Sequence, residues 1–118
     1  MSNNDHIVAV NKLFDEVAKA DLYPQLLKQL QKDLHRAGID HDIDPEIKSN
    51  NLIVELNNLL YDQLQNAFND FLNLLYAVDV SEKEIKDFQS ENIEEIAMYT
   101  TYLILKREWK KVWLRNNL

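Results

Sequence analysis

The scarcity of turn-forming residues restricts this chain more than any other feature. Its 118 residues include one glycine, Gly38, and two prolines, Pro24 and Pro45. Hairpins and crossover loops rely on such residues, so a fold rich in β-structure would need more of them. A chain of this length has room for one hydrophobic core rather than two. The sequence therefore predicts a single all-α domain over residues 1–118, a bundle of four to five helices.

The clearest helical pattern lies in the middle of the chain. Between about residues 50 and 78, apolar residues recur at three- and four-residue spacing on one side, and polar residues occupy the other. The apolar positions are Ile53, Leu56, Leu60, Leu64, Ala67, Phe71, Leu74 and Val78. One helix of this length would extend for about 40 Å, well beyond the average of three turns. We therefore expect one long central helix against which shorter helices pack.

Two shorter helices and a loop are expected before it. The apolar spacing near the start predicts a first helix over about residues 5–20. A second helix should run from Pro24 to Gly38, because proline suits a helix start and glycine suits the left-handed residue after a helix end. Residues 39–48 mix acids with isolated apolar residues, and we expect a loop there.

A helix end and a helix start follow each other at residues 79–81. Ser81 is a favourable N-cap, and Glu84 stands where a capping box places its second member, so this segment is expected to be a helical hairpin junction. The last helix should run from Ile93 to about Arg115. Its expected buried line is Met98, Tyr102, Leu105, Trp109 and Val112.

Charge is distributed unevenly along this acidic chain, whose formal net charge is −7. Residues 79–95 contain seven acids and two lysines, whereas residues 106–115 contain five bases and one acid. A negative net charge disfavours general nucleic-acid affinity, because neutralisation of phosphates supplies most non-specific binding. The basic end of the chain is the exception.

Cysteine is absent, which excludes disulfides, thiolate metal ligands and a cysteine nucleophile. The first residues are polar and acidic, unlike a secretory signal. No stretch approaches the roughly 20 apolar residues of a membrane span. We therefore expect a cytoplasmic protein with no membrane span.

The motif Asp40-x-Asp42-x-Asp44 resembles the start of a calcium-binding EF-hand loop. Pro45 then occupies the position that needs glycine, and Asn51 the position that needs a bidentate glutamate. The simpler interpretation is a solvated acidic loop, and no metal site is expected there.

The remaining candidates for chemistry are also weak. His35 and His41 flank the glycine, but no histidine has an acid three residues before it, as bundle metal sites usually require. The serines lie at expected helix ends, and glycine-rich phosphate loops are missing. We expect no catalytic residue, no bound metal and no cofactor, and therefore not an enzyme.

The most distinctive segment is the basic end of the last helix, which contains Trp109, Lys110, Trp113 and Arg115. Bases at a helix C-terminus complement its dipole, and Trp109 lies on the expected buried line, so packing explains part of the pattern. Tryptophan and arginine are also typical anchors of protein interfaces. Bases interleaved with tryptophans could alternatively contact nucleic acid or an anionic membrane surface. Trp113 lies off the buried line and is the better interface candidate.

The run Leu74–Glu82 resembles a junction found in a family of small uncharacterised bacterial helical proteins, where a leucine-rich helix leads into Leu-Tyr-x-x-Asp-Val-Ser-Glu. The likeness covers about residues 23–111 and includes the closing basic helix. Ala77 stands where an arginine is expected. The resemblance implies an all-helical fold and a cytosolic bacterial setting. It gives no information about an activity, a substrate or a catalytic residue.

Together these observations predict a non-enzymatic protein that acts by binding. The expected partner is an unidentified protein, or a second copy of the chain in a homo-oligomer, and the expected binding residues are Trp109, Lys110, Trp113 and Arg115. The alternative is a nucleic-acid-associated protein that uses the same basic, tryptophan-containing helix.

Overall fold

A computed structural model describes residues 3–117 of the chain. Six helices follow one another: α1 (Asn3–Lys19), α2 (Tyr23–Arg36), α3 (Ser49–Asn66), α4 (Phe68–Val78), α5 (Glu82–Asp87) and α6 (Ile93–Asn117). The described residues contain no β-strand, so the expected all-α fold is confirmed, with six helices where four to five were expected. No helix in this part of the chain combines the length and the apolar character needed to cross a membrane.

The long helix expected over residues 50–78 is divided at Ala67 into α3 and α4. Ala67 has φ −151° and ψ 58°, which lies outside the helical region. Backbone hydrogen bonds continue on both sides of the break. The Ala67 N–H donates to the Gln63 carbonyl at 2.9 Å, and the Phe71 N–H donates to the Ala67 carbonyl at 3.2 Å. The break allows α4 to pack against α2 as well as α3. Since the apolar spacing is uninterrupted here, tertiary packing and not the local pattern decides the change of direction.

The central helix of the bundle is α6, which packs against each of the other five helices. Its buried residues are Ala97, Thr100, Thr101, Leu103, Ile104, Leu105, Glu108 and Val112. Of the buried line expected from the sequence, Leu105 and Val112 are buried, whereas Met98, Tyr102 and Trp109 are only half-buried. A helix surrounded on several sides buries residues all round, so it carries no single apolar stripe from which its orientation can be predicted.

The hydrophobic core is one continuous cluster to which α1, α2, α3, α4 and α6 all contribute. Its largest fully buried aliphatic side chains are Leu26, Leu30, Leu34, Leu52, Leu56, Leu60, Leu74, Leu75, Ile104 and Leu105. Burial of one such side chain contributes about 1.5–3 kcal/mol to the driving force for folding. This core fixes the position of α6 and therefore of the surface it presents.

The two segments expected to connect helices lie between α2 and α3 and between α4 and α5. Residues 37–48 form the loop between α2 and α3, and Gly38 ends α2 in the left-handed region with φ 78°. Ser81 caps α5, although its Oγ accepts the N–H of Lys83 at 3.2 Å rather than that of Glu84. The serine cap was therefore predicted correctly, but with a different bonding partner.

Asp21 ends α1 in a conformation that favours glycine. Its φ is 56°, its N–H donates to the Ala18 carbonyl, and the N–H of Leu22 donates to the Val17 carbonyl. Because glycine enters the left-handed region without a Cβ penalty, we expect Asp21→Gly to raise the free energy of unfolding by about 0.5–1 kcal/mol. Urea denaturation would measure the change. Asp21→Ala is the control and should lower stability; a loss of stability in Asp21→Gly would contradict the assignment.

Candidate binding groove

An open and largely apolar groove with a volume of about 610 Å³ lies between α1 and α6. Its α1 wall consists of Ala9, Lys12, Leu13 and Glu16, and its α6 wall of Tyr102, Lys106, Trp109, Lys110, Trp113 and Leu114. Residues four apart on a helix project from the same face, which places Trp109 with Trp113 and Lys106 with Lys110. Three of the four residues predicted from the sequence, Trp109, Lys110 and Trp113, therefore lie together.

The two walls of the groove are parallel helices. The ring of His6 packs against Tyr99, with centroids 5.0 Å apart, and further along both helices the Trp109 Nε1–H donates to Glu16 Oε2 at 3.4 Å. His6 is completely buried between Tyr99 and Phe88, whose ring centroid is 5.5 Å away. Burial lowers the pKa of His6, so the ring is held neutral in this apolar setting. These contacts attach α1 to α6 and fix the width of the groove.

The two tryptophans of the chain have different exposures. Trp109 is half-buried and packs against the core, so the packing interpretation of this residue is supported. Trp113 remains 46% exposed. A large aromatic ring this exposed, next to a second tryptophan that is anchored in the core, forms the apolar surface of the groove.

The rim of the groove is basic, in contrast to the protein as a whole. Lys12, Lys106 and Lys110 form no ion pair within the described residues, although the Lys106 ammonium lies 5.8 Å from the centre of the Tyr102 ring. Glu16 is the one acid among the lining residues, and it accepts the hydrogen bond from Trp109. The groove therefore combines an apolar floor with three cations that have no internal counter-charge.

The other three bases of residues 106–115 point elsewhere. Arg107 pairs with Asp79 at 3.0 Å, and Arg115 donates to Gln29 Oε1 at 2.9 Å. Arg115 was predicted as a binding residue with the tryptophans, but its guanidinium contacts α2 and it does not line the groove. The third base, Lys111, is largely buried.

Lys111 belongs to a buried polar cluster between α2, α4 and α6 that was not predicted from the sequence. Its ammonium lies 2.9 Å from Asp33 Oδ2, 3.5 Å from Glu108 Oε1 and 3.1 Å from the carbonyl of Ala77. Asp33 and Glu108 are completely buried. One lysine thus serves two carboxyl groups and the last turn of α4.

The pKa values of the two carboxyl groups are shifted in opposite directions, which favours a protonated Glu108 beside an ionised Asp33. Burial, together with the hydrogen bond to Asp33 and its charge, raises the pKa of Glu108 to about 9. Burial alone would raise the pKa of Asp33, but hydrogen bonds from Glu108, Lys111 and Gln29 outweigh it and hold that pKa below its usual value. Apart from the Lys111 ammonium at 3.5 Å, the Glu108 oxygens have no hydrogen-bond donor within the described residues when both carboxyl groups are ionised. A protonated Glu108 that donates to ionised Asp33 satisfies both groups.

A signal for this cluster is present in the sequence. Glu108 lies four residues after Ile104 and four before Val112, which places its charge on the same helix face as two apolar residues. The residues that contact Glu108 could not be predicted from the same spacing, because Asp33 and Lys111 are brought together from distant parts of the chain.

Of the candidate metal positions, His35 and Asp42 lie close together, with Nε2 3.5 Å from Oδ1, whereas His41 Nε2 lies 3.6 Å from Oε2 of Glu55. Asp40, Asp42 and Asp44 are exposed on the loop, whose backbone is held by Gln31 through the carbonyl of His41. Over residues 3–117 no three histidine, aspartate or glutamate side chains are arranged to hold a metal ion.

Comparison with known proteins finds no family model, no curated protein and no solved structure that matches this chain. The resemblance of the Leu74–Glu82 junction to a bacterial family therefore stays a prediction.

Proposed function

We propose that this chain is a non-enzymatic binding protein that takes a segment of another protein into the groove between α1 and α6. The observation that carries the proposal is the pair of tryptophans in the groove, Trp113 half exposed and Trp109 anchored in the core. They lie between lysines that form no ion pair within the described residues. Tryptophans in such positions are frequent hot spots of protein interfaces, where a few residues supply most of the binding energy. We place this role in a cytoplasmic, bacterial setting, as the sequence suggests.

A protein segment fits the groove better than nucleic acid does. Of the five bases in residues 106–115, Arg107, Lys111 and Arg115 are engaged within the protein, which leaves two on α6 and Lys12 on α1. Few phosphate contacts are then available on a chain with a net charge of −7. The groove is also open, whereas small-molecule sites usually enclose most of the ligand surface.

The non-enzymatic part of the proposal is supported by the position of Glu108. A strongly shifted pKa often marks a catalytic group. A general acid or base must, however, come within hydrogen-bond reach of its substrate. Glu108 and its neighbour Asp33 are both completely buried among three helices, out of reach of a substrate, which favours a structural role for the shifted pKa of Glu108.

The test compares what the tagged protein captures from nuclease-treated lysate with what two groove variants capture. Trp113→Ala and Lys110→Glu should each lose the specific partner, whereas Lys28→Glu, which changes an exposed lysine of α2, should retain it. With the purified partner, we expect Trp113→Ala to weaken binding by at least about 30-fold, the effect of a typical hot spot.

The salt dependence of the binding affinity distinguishes protein binding from nucleic-acid binding. Phosphate contacts from Lys12, Lys106 and Lys110 would lose about 40-fold in affinity when the salt concentration rises about fourfold, whereas an interface anchored by tryptophan should lose much less. Unchanged binding in both groove variants would refute the proposal. Light scattering would show whether the bound partner is a second copy of the chain.

A further inference from the structure

We propose that the segment bound in the groove is an acidic amphipathic α-helix of about three turns. This inference rests on the proposed function and specifies the chemistry of the partner. It follows from three properties of the groove: its walls, its length and the charges on its rim.

The walls favour a helical occupant. Both are α-helices, whose backbone N–H and C=O groups bond within their own helix, so they offer no sheet edge to an extended peptide. A segment that enters this apolar groove must therefore satisfy its own backbone groups, as an α-helix does. Two parallel helices with a channel between them also form a surface into which the ridge of a third helix can pack.

The length of the groove fits about three helical turns. Its α6 wall extends from Tyr102 to Leu114, and at 1.5 Å per residue this distance is about 18 Å. The apolar surface along it is formed by Leu13, Trp109 and Trp113. A helix of this length presents a stripe of apolar side chains at positions i, i+3 or i+4, and i+7.

The rim determines the charge of the occupant. Lys106 and Lys110 lie on the α6 side and Lys12 on the α1 side, so cations border the groove on both walls. The single acid of the lining, Glu16, is already bonded to Trp109. A helix with acids on both flanks of its apolar stripe would pair these lysines, whereas a basic helix would place like charges opposite one another.

A second copy of the chain supplies a less suitable occupant. Its acids are concentrated in residues 79–95, but α5 within that segment has only six residues. Val80 is buried and Ile85 is half-buried, so the apolar residues of this segment are already packed against the protein's own core. We therefore assign the groove to a helix of a different protein.

The two tryptophans make occupancy directly measurable. Both line the groove and the chain has no others, so tryptophan fluorescence reports on this site alone. The probes are three synthetic peptides of about 14 residues. The first is an amphipathic helix with leucines on one face and glutamates on both flanks, the second has lysine in place of each glutamate, and the third has the composition of the first with the leucine stripe scrambled.

The acidic amphipathic peptide should shift the tryptophan emission saturably and bind at least about tenfold more tightly than either of the others. In the double variant Lys106→Glu/Lys110→Glu this preference should reverse, so that the lysine peptide binds more tightly than the glutamate peptide. The matched control is Lys28→Glu, which should keep the original preference.

Equal binding of the three peptides, or no binding of the acidic peptide up to about 1 mM, would overturn the inference. A preference that survives the double charge reversal would do the same. If none of the peptides binds while capture of a protein partner still requires Trp113, the groove binds a different structural element. In that case the helix inference fails and the proposed function stands. A dimer that depends on Trp113 would make a second copy the occupant and likewise overturn it.

Discussion

Lys111→Met is expected to lower the free energy of unfolding by about 3–5 kcal/mol near neutral pH. The ammonium of Lys111 pairs with Asp33 at 2.9 Å and donates to the Ala77 carbonyl at 3.1 Å, and its side chain is only 18% exposed. Without the Lys111 ammonium, the buried carboxylate of Asp33 would have Arg36 as its remaining cation. The Arg36 guanidinium is 3.8 Å away and largely exposed to solvent. A charge left buried and poorly paired costs much more than the net value of the original pair.

Two variants make the Lys111 prediction specific, with chemical denaturation as the measurement. Lys110→Met changes the neighbouring exposed lysine and should alter stability by less than about 0.5 kcal/mol. Adding Asp33→Asn to Lys111→Met removes the stranded charge and should restore a large part of the loss. If Lys111→Met were no more destabilising than Lys110→Met, the buried cluster would not exist in solution as described.

The second large effect is a loss of stability with rising pH that depends on Glu108. Its pKa is about 9 in the folded protein and has a reference value of 4.5. Between these values the folded state holds a proton that the unfolded state has released, so stability falls as the pH rises. The contribution of this proton to the stability of the folded state is complete below pH 4.5. It is lost as the pH rises through about 9.

The slope is best measured between about pH 7 and 8.5, where one bound proton corresponds to about 1.4 kcal/mol per pH unit, or ~2 kcal/mol across the interval. The lowered pKa of His6 places its titration below this range, and the raised pKa values of Tyr23 and Tyr99 place theirs above it. Asp33, the carboxyl facing Glu108, has a lowered pKa and is ionised throughout the range.

Glu108→Gln is the variant that isolates this proton. An amide donates a hydrogen bond to Asp33 as the protonated carboxyl does, and it cannot ionise. The variant should therefore be more stable than the original protein near neutral pH, by up to about 3 kcal/mol, because it folds without taking up a proton. It should also lose little stability as the pH rises to 8.5. Urea denaturation at several pH values would measure both slopes. Equal slopes in the two proteins would show that Glu108 is not protonated in the folded state.

The candidate site was predictable where it depends on one helix and unpredictable where it depends on two. Trp109, Lys110 and Trp113 were predicted because bases alternate with tryptophans in residues 106–115, all of which belong to the single helix α6. Arg115 was placed with them by proximity in sequence, but its guanidinium contacts Gln29 of α2. The α1 wall, with Lys12 and Leu13, could not be assigned to the groove before the packing of α1 against α6 was known.

The sequence by itself determined the helical class of this protein and most of its helix boundaries. Helix ends depend on local interactions between neighbouring residues, which the sequence shows directly. Examples in this chain are its one glycine, its two prolines and the cap at Ser81. Tertiary structure alone decided the break at Ala67, the central position of α6 and the raised pKa of Glu108 beside Asp33. Each of these depends on contacts between segments far apart in sequence, and a local pattern carries no information about which segments will meet.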